Sequence, residues 1–329
     1  MVRCDQKIPW IINLELTNAC NLACVFCDHK ILKKKMLLEE MDEWLLKKIL
    51  TDIRTGQAVN GRVYELGLVG LGEPTLDRNL RKHLVIVNEY ADLFERISLN
   101  SNLVSLTPKI AERLLDSEIN VYTFSVNASN RKVYRKMMSR DKFTQVIKNL
   151  RDFLTLYTER RSAAIVEVQV LDSPENDLAE LKSEVPESAD VQVIFFTRKV
   201  YSKPILQKGQ KLLRIHDPGL PERYPCWDIY TRAYIDVQGN FYPCTIGNDC
   251  YRETSKLCLG SVHDNTVLAL FNNMTIRRSR QRSERGDLPF PECEICNVWS
   301  LTPNNFWWDS ESRTWKLKKK QIRAYGLKE

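Results

Sequence analysis

The chain has 329 residues, 43% hydrophobic and 28% charged, enough for one large domain with an appendage or for two domains. No run is long and apolar enough for a membrane span, and the opening Met1-Val2-Arg3-Cys4-Asp5-Gln6-Lys7 does not resemble a secretory signal. A cytoplasmic protein with no membrane partner is therefore expected, and its ten cysteines point to metal ligation or catalysis instead of disulfides. The net charge of +7 comes from basic residues spread along the chain, and the runs at 33–35, 277–285 and 316–320 read as solvated faces rather than a nucleic-acid stripe. An acidic substrate or a small acidic electron donor accounts for the surplus equally well.

Hydrophobic patterning predicts a strand over 11–16 that runs straight into a cysteine-bearing loop, then a helix over 36–53 with Leu38, Met41, Leu45, Leu46, Ile49 and Ile53 on one face. A strand over 64–69 and a helix over 79–90 follow, then a strand over 97–100 and a helix opened by Thr107-Pro108. A strand over 121–127, helical sequence to 154, a strand over 164–171, a short helix near 178–183 and a strand over 191–196 complete six strand–helix units. Such alternation implies an α/β fold with a parallel sheet and right-handed crossovers, and six units imply a partial (β/α)6 TIM-like barrel rather than a closed eight-fold one. Asn13 and Glu15, Ser98 and Asn100, Thr123, Ser125 and Asn127, and Glu167 and Gln169 fall at alternate strand positions. This predicts a polar lumen in place of the continuous apolar strands of a doubly covered sheet; polar residues paired among themselves are the plainer alternative. The expected division is a barrel over 1–200, a linker over 201–225, a small cysteine-rich domain over 226–297 and an aromatic, basic tail over 298–329 that includes Trp299, Phe306, Trp307, Trp308 and Trp315.

Cys20, Cys24 and Cys27, at C-x3-C-x2-C spacing, can hold one compact metal site. Soft thiolates select zinc or iron–sulfur clusters. Zinc would want a fourth ligand, for which only Asp28 and His29 are near, whereas three ligands on a four-iron cluster leave one iron open. With Phe26 before the last cysteine, the trio resembles the signature of the radical S-adenosylmethionine (SAM) superfamily. The resemblance implies a [4Fe–4S] cluster whose open iron binds SAM, and reductive cleavage to a 5′-deoxyadenosyl radical that takes a substrate hydrogen.

Gly70-Leu71-Gly72-Glu73-Pro74 follows the second predicted strand, and its two glycines permit close backbone approach. It resembles the superfamily's Gly-Gly-Glu-Pro motif, with Leu71 in place of the second glycine. That likeness implies that Gly70, Gly72, Glu73 and Pro74 bind SAM, Glu73 accepting from its ammonium. Asn100-Ser101-Asn102 and Ser125-Val126-Asn127 end the third and fourth strands, where ligands sit in parallel α/β folds. They are similar to other SAM-contacting motifs of the superfamily, which makes Asn102, Ser125 and Asn127 candidate contacts, although such residues are also ordinary turn formers.

The second constellation is Cys226-x12-Gly239-x4-Cys244 followed by Cys293-x2-Cys296, enclosing a predicted hairpin that turns at Gln238-Gly239-Asn240 and a helix near 267–272. Four such cysteines suit zinc or a fully ligated cluster. With the first motif they resemble the twitch domain, the shortened relative of the SPASM domain, which implies an auxiliary [4Fe–4S] cluster with no iron open to substrate and an electron-transfer role. Cys250 and Cys258 read as small packing residues or, by likeness to radical SAM epimerases, as hydrogen donors. The layout is similar to that of 2-deoxy-scyllo-inosamine dehydrogenases, and only nineteen residues precede Cys20, which disfavours an N-terminal peptide-recognition domain. The expectation is therefore an oxidoreductase acting on a small polar carbohydrate or aminocyclitol, served by an electron donor such as flavodoxin or ferredoxin. An epimerase, a peptide-modifying enzyme and a zinc-binding nucleic-acid module are the rivals.

Overall fold

The structure, a computed structural model, describes residues 2–3, 7–27, 29–34, 36–185, 193–198, 225–244, 256–294, 296, 306–309 and 314–317. Strand β1 is Val2–Arg3 and β2 is Ile11–Leu14. After the cysteine loop come α1 (His29–Leu32), α2 (Glu43–Asn60), β3 (Glu65–Leu68), α3 (Leu80–Asn88), β4 (Arg96–Ser101), α4 (Pro108–Leu115) and β5 (Val121–Asn127). The chain continues through α5 (Arg131–Met138), α6 (Phe143–Glu159), β6 (Ile165–Leu171), α7 (Leu178–Ser183) and β7 (Val193–Arg198). Beyond them lie α8 (Asp228–Thr231), β8 (Arg232–Ile235), β9 (Phe241–Tyr242), α9 (Val267–Phe271), α10 (Met274–Glu284), β10 (Phe306–Asp309) and β11 (Thr314–Leu317).

The fold is α/β. Strands β2 to β7 pair in sequence order and all in parallel, the arrangement that strand–helix alternation predicts. The barrel edge beside β2 is taken by β8, which adds in parallel with Asn13 opposite Tyr234, and β9 then pairs antiparallel with β8. Two strands from the cysteine-rich segment thus extend the six-stranded barrel sheet to eight among the described residues, a junction that sequence periodicity does not reveal. The two strands of the aromatic tail join β1 in a separate antiparallel sheet, Val2 opposite Trp315.

Two boundaries differ from the sequence reading for physical reasons. The helix expected over 36–53 starts only at Glu43, where the Asp42 carboxylate caps the Trp44 N–H at 2.8 Å. The preceding residues are used otherwise: Thr17 and Glu40 form an antiparallel bridge, and Asn18 accepts from the Glu39 N–H. The helical stretch after β5 is two helices, because Ser139 ends α5 in the left-handed region at φ 55°.

One face of the sheet is apolar, with Ile12, Leu66, Leu99, Phe124 and Val168 buried under the helices. Phe153 of α6 meets Tyr122 and Phe124 edge-on at 5.1 and 4.8 Å between ring centres. The opposite face is polar, and in its lower half the residues are paired with one another. Ser98 donates to Glu65 at 2.7 Å, Thr123 donates to Glu167 at 2.8 Å, and Arg96 lies between the two carboxylates at 3.4 and 3.2 Å. Phe153→Ala should cost about 3–5 kcal/mol through lost burial and the cavity left behind, read as a lower urea midpoint with an unchanged denaturant slope.

Candidate active site and cluster sites

The cysteine loop leaves β2 and is pinned at several points. Asn18, fully buried, donates from Nδ2 to the Leu37 carbonyl at 2.9 Å, and His29 Nε2 donates to the Asn18 carbonyl at 3.0 Å. Burial holds the His29 imidazole below its ordinary range, which favours its neutral form. From the far side, the Val25 N–H donates to the Met137 carbonyl at 2.9 Å and the Cys24 thiol meets Met138 Sδ at 3.3 Å. Asn21 and Asn102 are joined at 2.9 Å, and Asn102 Nδ2 lies 3.9 Å from Cys20 Sγ. Phe26 is half-buried and packs on the main core.

Burial pushes the Cys20 thiol up to about 12, with the neighbouring Glu73 and Cys27 adding to the effect. Cys24 is raised further, again by burial first and then by Cys27 and Cys20. Cys20 and Cys24 thus resist ionising on their own, and a bound cationic group would favour their thiolates. Among the described residues no three His, Cys, Asp or Glu side chains close around a single ion. Three soft thiolates with no fourth protein ligand among the described residues suit an iron–sulfur cluster better than a closed structural zinc site.

The glycine-rich loop lies directly on the cysteine loop. A Cβ at Gly72 would stand 2.0 Å from the Thr17 carbonyl oxygen, and the next N–H, of Glu73, donates to Ala19 O at 2.7 Å. A Cβ at Gly70 would meet Glu15 at 2.6 Å, and Glu15 accepts from the Leu71 N–H at the same distance. Both glycines are thus required by protein contacts. Leu71 turns its side chain onto Leu32 of α1, with Met36 beside it, which explains an apolar residue where a glycine is usual.

Pro74 opens a buried 3-10 turn, Pro74–Leu76, and Glu73 caps it. Glu73 Oε1 accepts from the Thr75 N–H and hydroxyl at 3.2 and 2.7 Å and from the Ser101 hydroxyl at 2.7 Å; Oε2 accepts from the Asn102 N–H at 2.7 Å. Burial still holds this carboxyl above the usual range, the hydrogen bonds opposing it. Higher in the lumen, Gln169 Nε2 donates to Asn127 Oδ1 at 2.9 Å and to Ser125 Oγ at 3.4 Å, and Arg198 donates to Gln169 Oε1 at 3.5 Å. A register shift between Ser125 and Asn127, with φ 62° at Asn127, turns the strand end here.

At the second site Cys226 and Cys244 are raised well above the ordinary thiol range by burial, then by Asp228, with Cys293 and Cys296 contributing to both. The four thiols of the second motif are thus near enough to feel one another's charge. Cys226, Cys244 and Cys293 pack on a cluster of Ile229, Tyr230, Tyr234, Tyr242, Ile276 and Phe290. The Cys226 N–H donates to Ser283 Oγ of α10 at 3.4 Å. The hairpin is closed by Asp236, which accepts from the N–H groups of Gln238 and Asn240 and from the Tyr242 hydroxyl. Cys258 is exposed, its sulfur 4.0 Å from Gly260 O; Cys250 lies outside the described residues.

Comparison with known families finds a match in each of the two cysteine-bearing segments. Residues 14–166 match the radical SAM superfamily, and residues 226–297 match the iron–sulfur cluster-binding SPASM domain. The chain carries a radical SAM domain followed by a SPASM domain. Its cofactors are SAM and [4Fe–4S] clusters, which the two thiol sets fit. An uncharacterised protein of Methanocaldococcus jannaschii is 24% identical over 140 residues, 42% of this chain and 42% of that protein, so the match spans less than half of the relative. Among solved structures, BtrN in complex with AdoMet and 2-DOIA has TM-score 0.54 and 18% identity, over 88% of this chain and 93% of BtrN. SuiB of Streptococcus suis bound to S-adenosylmethionine has TM-score 0.58 and 14% identity, over 89% of this chain and 72% of SuiB. The anSMEcpe structure with AdoMet and Cp18Cys peptide has TM-score 0.60 and 15% identity, over 89% and 88%. These likenesses establish the fold of this radical SAM chain.

Thr75 and Glu15 enter the site without a motif to announce them, although Glu15 already stood out as a polar residue at an alternate strand position. Two separate thiol sets should give about eight irons per chain after anaerobic reconstitution, at four per cubane. Replacing Cys20, Cys24 and Cys27 together by Ala should leave about four irons, and stoichiometric zinc with negligible iron would contradict the assignment. Gly72→Ala, by forcing the two loops apart, should lower iron at the first site while the second still fills, measured by iron analysis and absorbance near 400 nm.

Proposed function

We propose that this chain is an oxidoreductase that removes hydrogen from a small polar substrate, a sugar or an aminocyclitol, and oxidises an alcohol to a ketone. When bound, SAM on a [4Fe–4S] cluster supplies hydrogen abstraction through its 5′-deoxyadenosyl group. In this reading Cys20, Cys24 and Cys27 hold that cluster, and Cys226, Cys244, Cys293 and Cys296 hold the auxiliary one. Glu73 receives the SAM ammonium on an oxygen that already accepts from Asn102, and the glycine-rich loop fixes that oxygen beside the cluster loop. Asn102, Ser125 and Asn127 line the same end of the strands.

The polar lumen carries the substrate assignment. Ser125, Gln169, Asn127 and Arg198 form a hydrogen-bonded wall above the Glu65, Arg96 and Glu167 network, and such a surface suits hydroxyl and amino groups better than an apolar ligand. Support also comes from BtrN, a 2-deoxy-scyllo-inosamine dehydrogenase crystallised with AdoMet and 2-DOIA, nearly all of which this chain spans. The four-thiol second site suits an acceptor of the one electron that the alcohol radical gives up with a proton on becoming a ketone. An external carrier such as flavodoxin or ferredoxin supplies the one electron that SAM cleavage consumes and, in its oxidised form, takes the substrate's electron back. Peptide modification is the second reading, favoured by the likeness to SuiB, which was solved bound to precursor peptide SuiA.

Glu73→Ala should weaken SAM binding about ten- to a hundredfold, the loss of roughly 1.5–3 kcal/mol of charge-assisted hydrogen bonding, while both clusters assemble. The ammonium needs the carboxylate form, and this carboxyl protonates above the usual range. SAM affinity in the wild type should therefore fall on acidification earlier than an ordinary carboxyl allows, and Glu73→Ala should not show that fall. Turnover of candidate aminocyclitols in deuterated water tests the reaction. A ketone formed equally well by Cys250→Ala and Cys258→Ala supports dehydrogenation, whereas deuterium at an inverted carbon, lost in either variant, identifies an epimerase.

A further inference from the structure

The helix that follows the fourth barrel strand faces the cysteine loop, and one of its polar groups has no use within the protein. Tyr134 and Met138 sit one turn apart on α5 and so share a face. Met138 touches the Cys24 sulfur, and the Met137 carbonyl accepts from the Val25 N–H, which fixes this end of α5 against the loop. Tyr134 is fully buried, its ring tilted against Phe143 at 5.8 Å, and its hydroxyl has no hydrogen-bond partner among the described residues. Burial raises the phenol, and the charges of Cys24, Cys20 and Glu73, in that order, reach it and raise it further, in keeping with the seating of α5 on the cysteine loop.

Buried hydroxyls in native proteins are almost always bonded, and one left without a partner beside a cofactor loop calls for a water, an ion or a cofactor atom to complete it. We infer that the Tyr134 hydroxyl donates a hydrogen bond to a thiolate of the Cys20–Cys24 pair in the cluster-loaded protein, stabilising the reduced cluster and so setting its potential. This rests on the reading that these cysteines hold the SAM-binding cluster. An uncharged donor aimed at ligating sulfur favours the more negative, reduced state, because hydrogen bonds to sulfur tune iron–sulfur potentials. Tyr134 is thus a tuning residue for the cluster and touches no substrate.

The test is a redox titration of reconstituted Tyr134→Phe, followed by electron paramagnetic resonance, with the SAM-binding cluster identified as the one whose signal changes when SAM is added. The ring packing survives this substitution, so both clusters should assemble at wild-type iron content. The potential of the SAM-responsive cluster should move to a more negative value, the auxiliary potential should stay put, and SAM affinity should be unchanged. Met138→Leu keeps the apolar contact and adds no donor, and should leave the potential of the SAM-responsive cluster at the wild-type value. Assembly with an unmoved potential in Tyr134→Phe overturns the inference alone, as does an equal shift in Met138→Leu or a loss of SAM affinity without a shift. A wild-type protein that assembles no SAM-responsive cluster overturns the parent reading with it.

Discussion

Gly72 is pressed so closely onto the cysteine loop that a methyl group there would sit 2.0 Å from the Thr17 carbonyl oxygen. Two loops leaving adjacent parallel strands are thereby locked backbone to backbone, and the Glu73 N–H seals the contact on Ala19. The consequence is positional. The carboxylate of Glu73 and the thiol of Cys20 are held by one rigid junction, close enough that the carboxylate raises the thiol's proton affinity. Leu71, on the other side, anchors the junction to α1 through Leu32. The tight spot is a requirement of packing, and it fixes the geometry in which a ligand would meet both groups.

A buried carboxylate carries the same constraint to the C-terminal module. Glu15 takes the Leu71 N–H at 2.6 Å and the Val237 N–H at 3.4 Å, next to the point where β8 extends the barrel sheet. The second thiol set is therefore tied to the barrel by strand pairing and a shared carboxylate. Arg280 of α10 reinforces the module from behind, donating to the carbonyls of Ile229 and Phe271 while lying over the Phe271 ring. The electron exchange proposed between the two sites gains from such fixed placement, because distance then does not vary with domain motion.

The strand–helix alternation, the alternate polar positions and the thiol spacings were legible in the chain because each follows from local periodicity or from ligand chemistry. The polar residues at 98, 123, 125, 167 and 169 do face one another across the sheet. In the lower lumen they are satisfied by their own partners, the plainer alternative, whereas the rim residues lie at the strand ends where ligands bind. What could not be read depends on contacts distant in sequence. The 37–41 segment reads as helix by its apolar spacing but is claimed by Thr17 and Asn18 as a bridge. The parallel pairing of β8 with β2 joins residues more than two hundred positions apart. Tyr134 looks like any core residue of an amphipathic helix, and only the loop packed against it gives its hydroxyl a meaning.

The central claim is that the Cys20, Cys24 and Cys27 set, and not the second set, is where SAM binds. Pulsed electron paramagnetic resonance of the reduced protein with 15N-labelled SAM tests it most directly. A nitrogen coupling is expected in the wild type and in a Cys293→Ala, Cys296→Ala variant, and its absence is expected when Cys20, Cys24 and Cys27 are all Ala. Coupling that survives in the triple variant, or that disappears when only the second set is removed, would contradict the account.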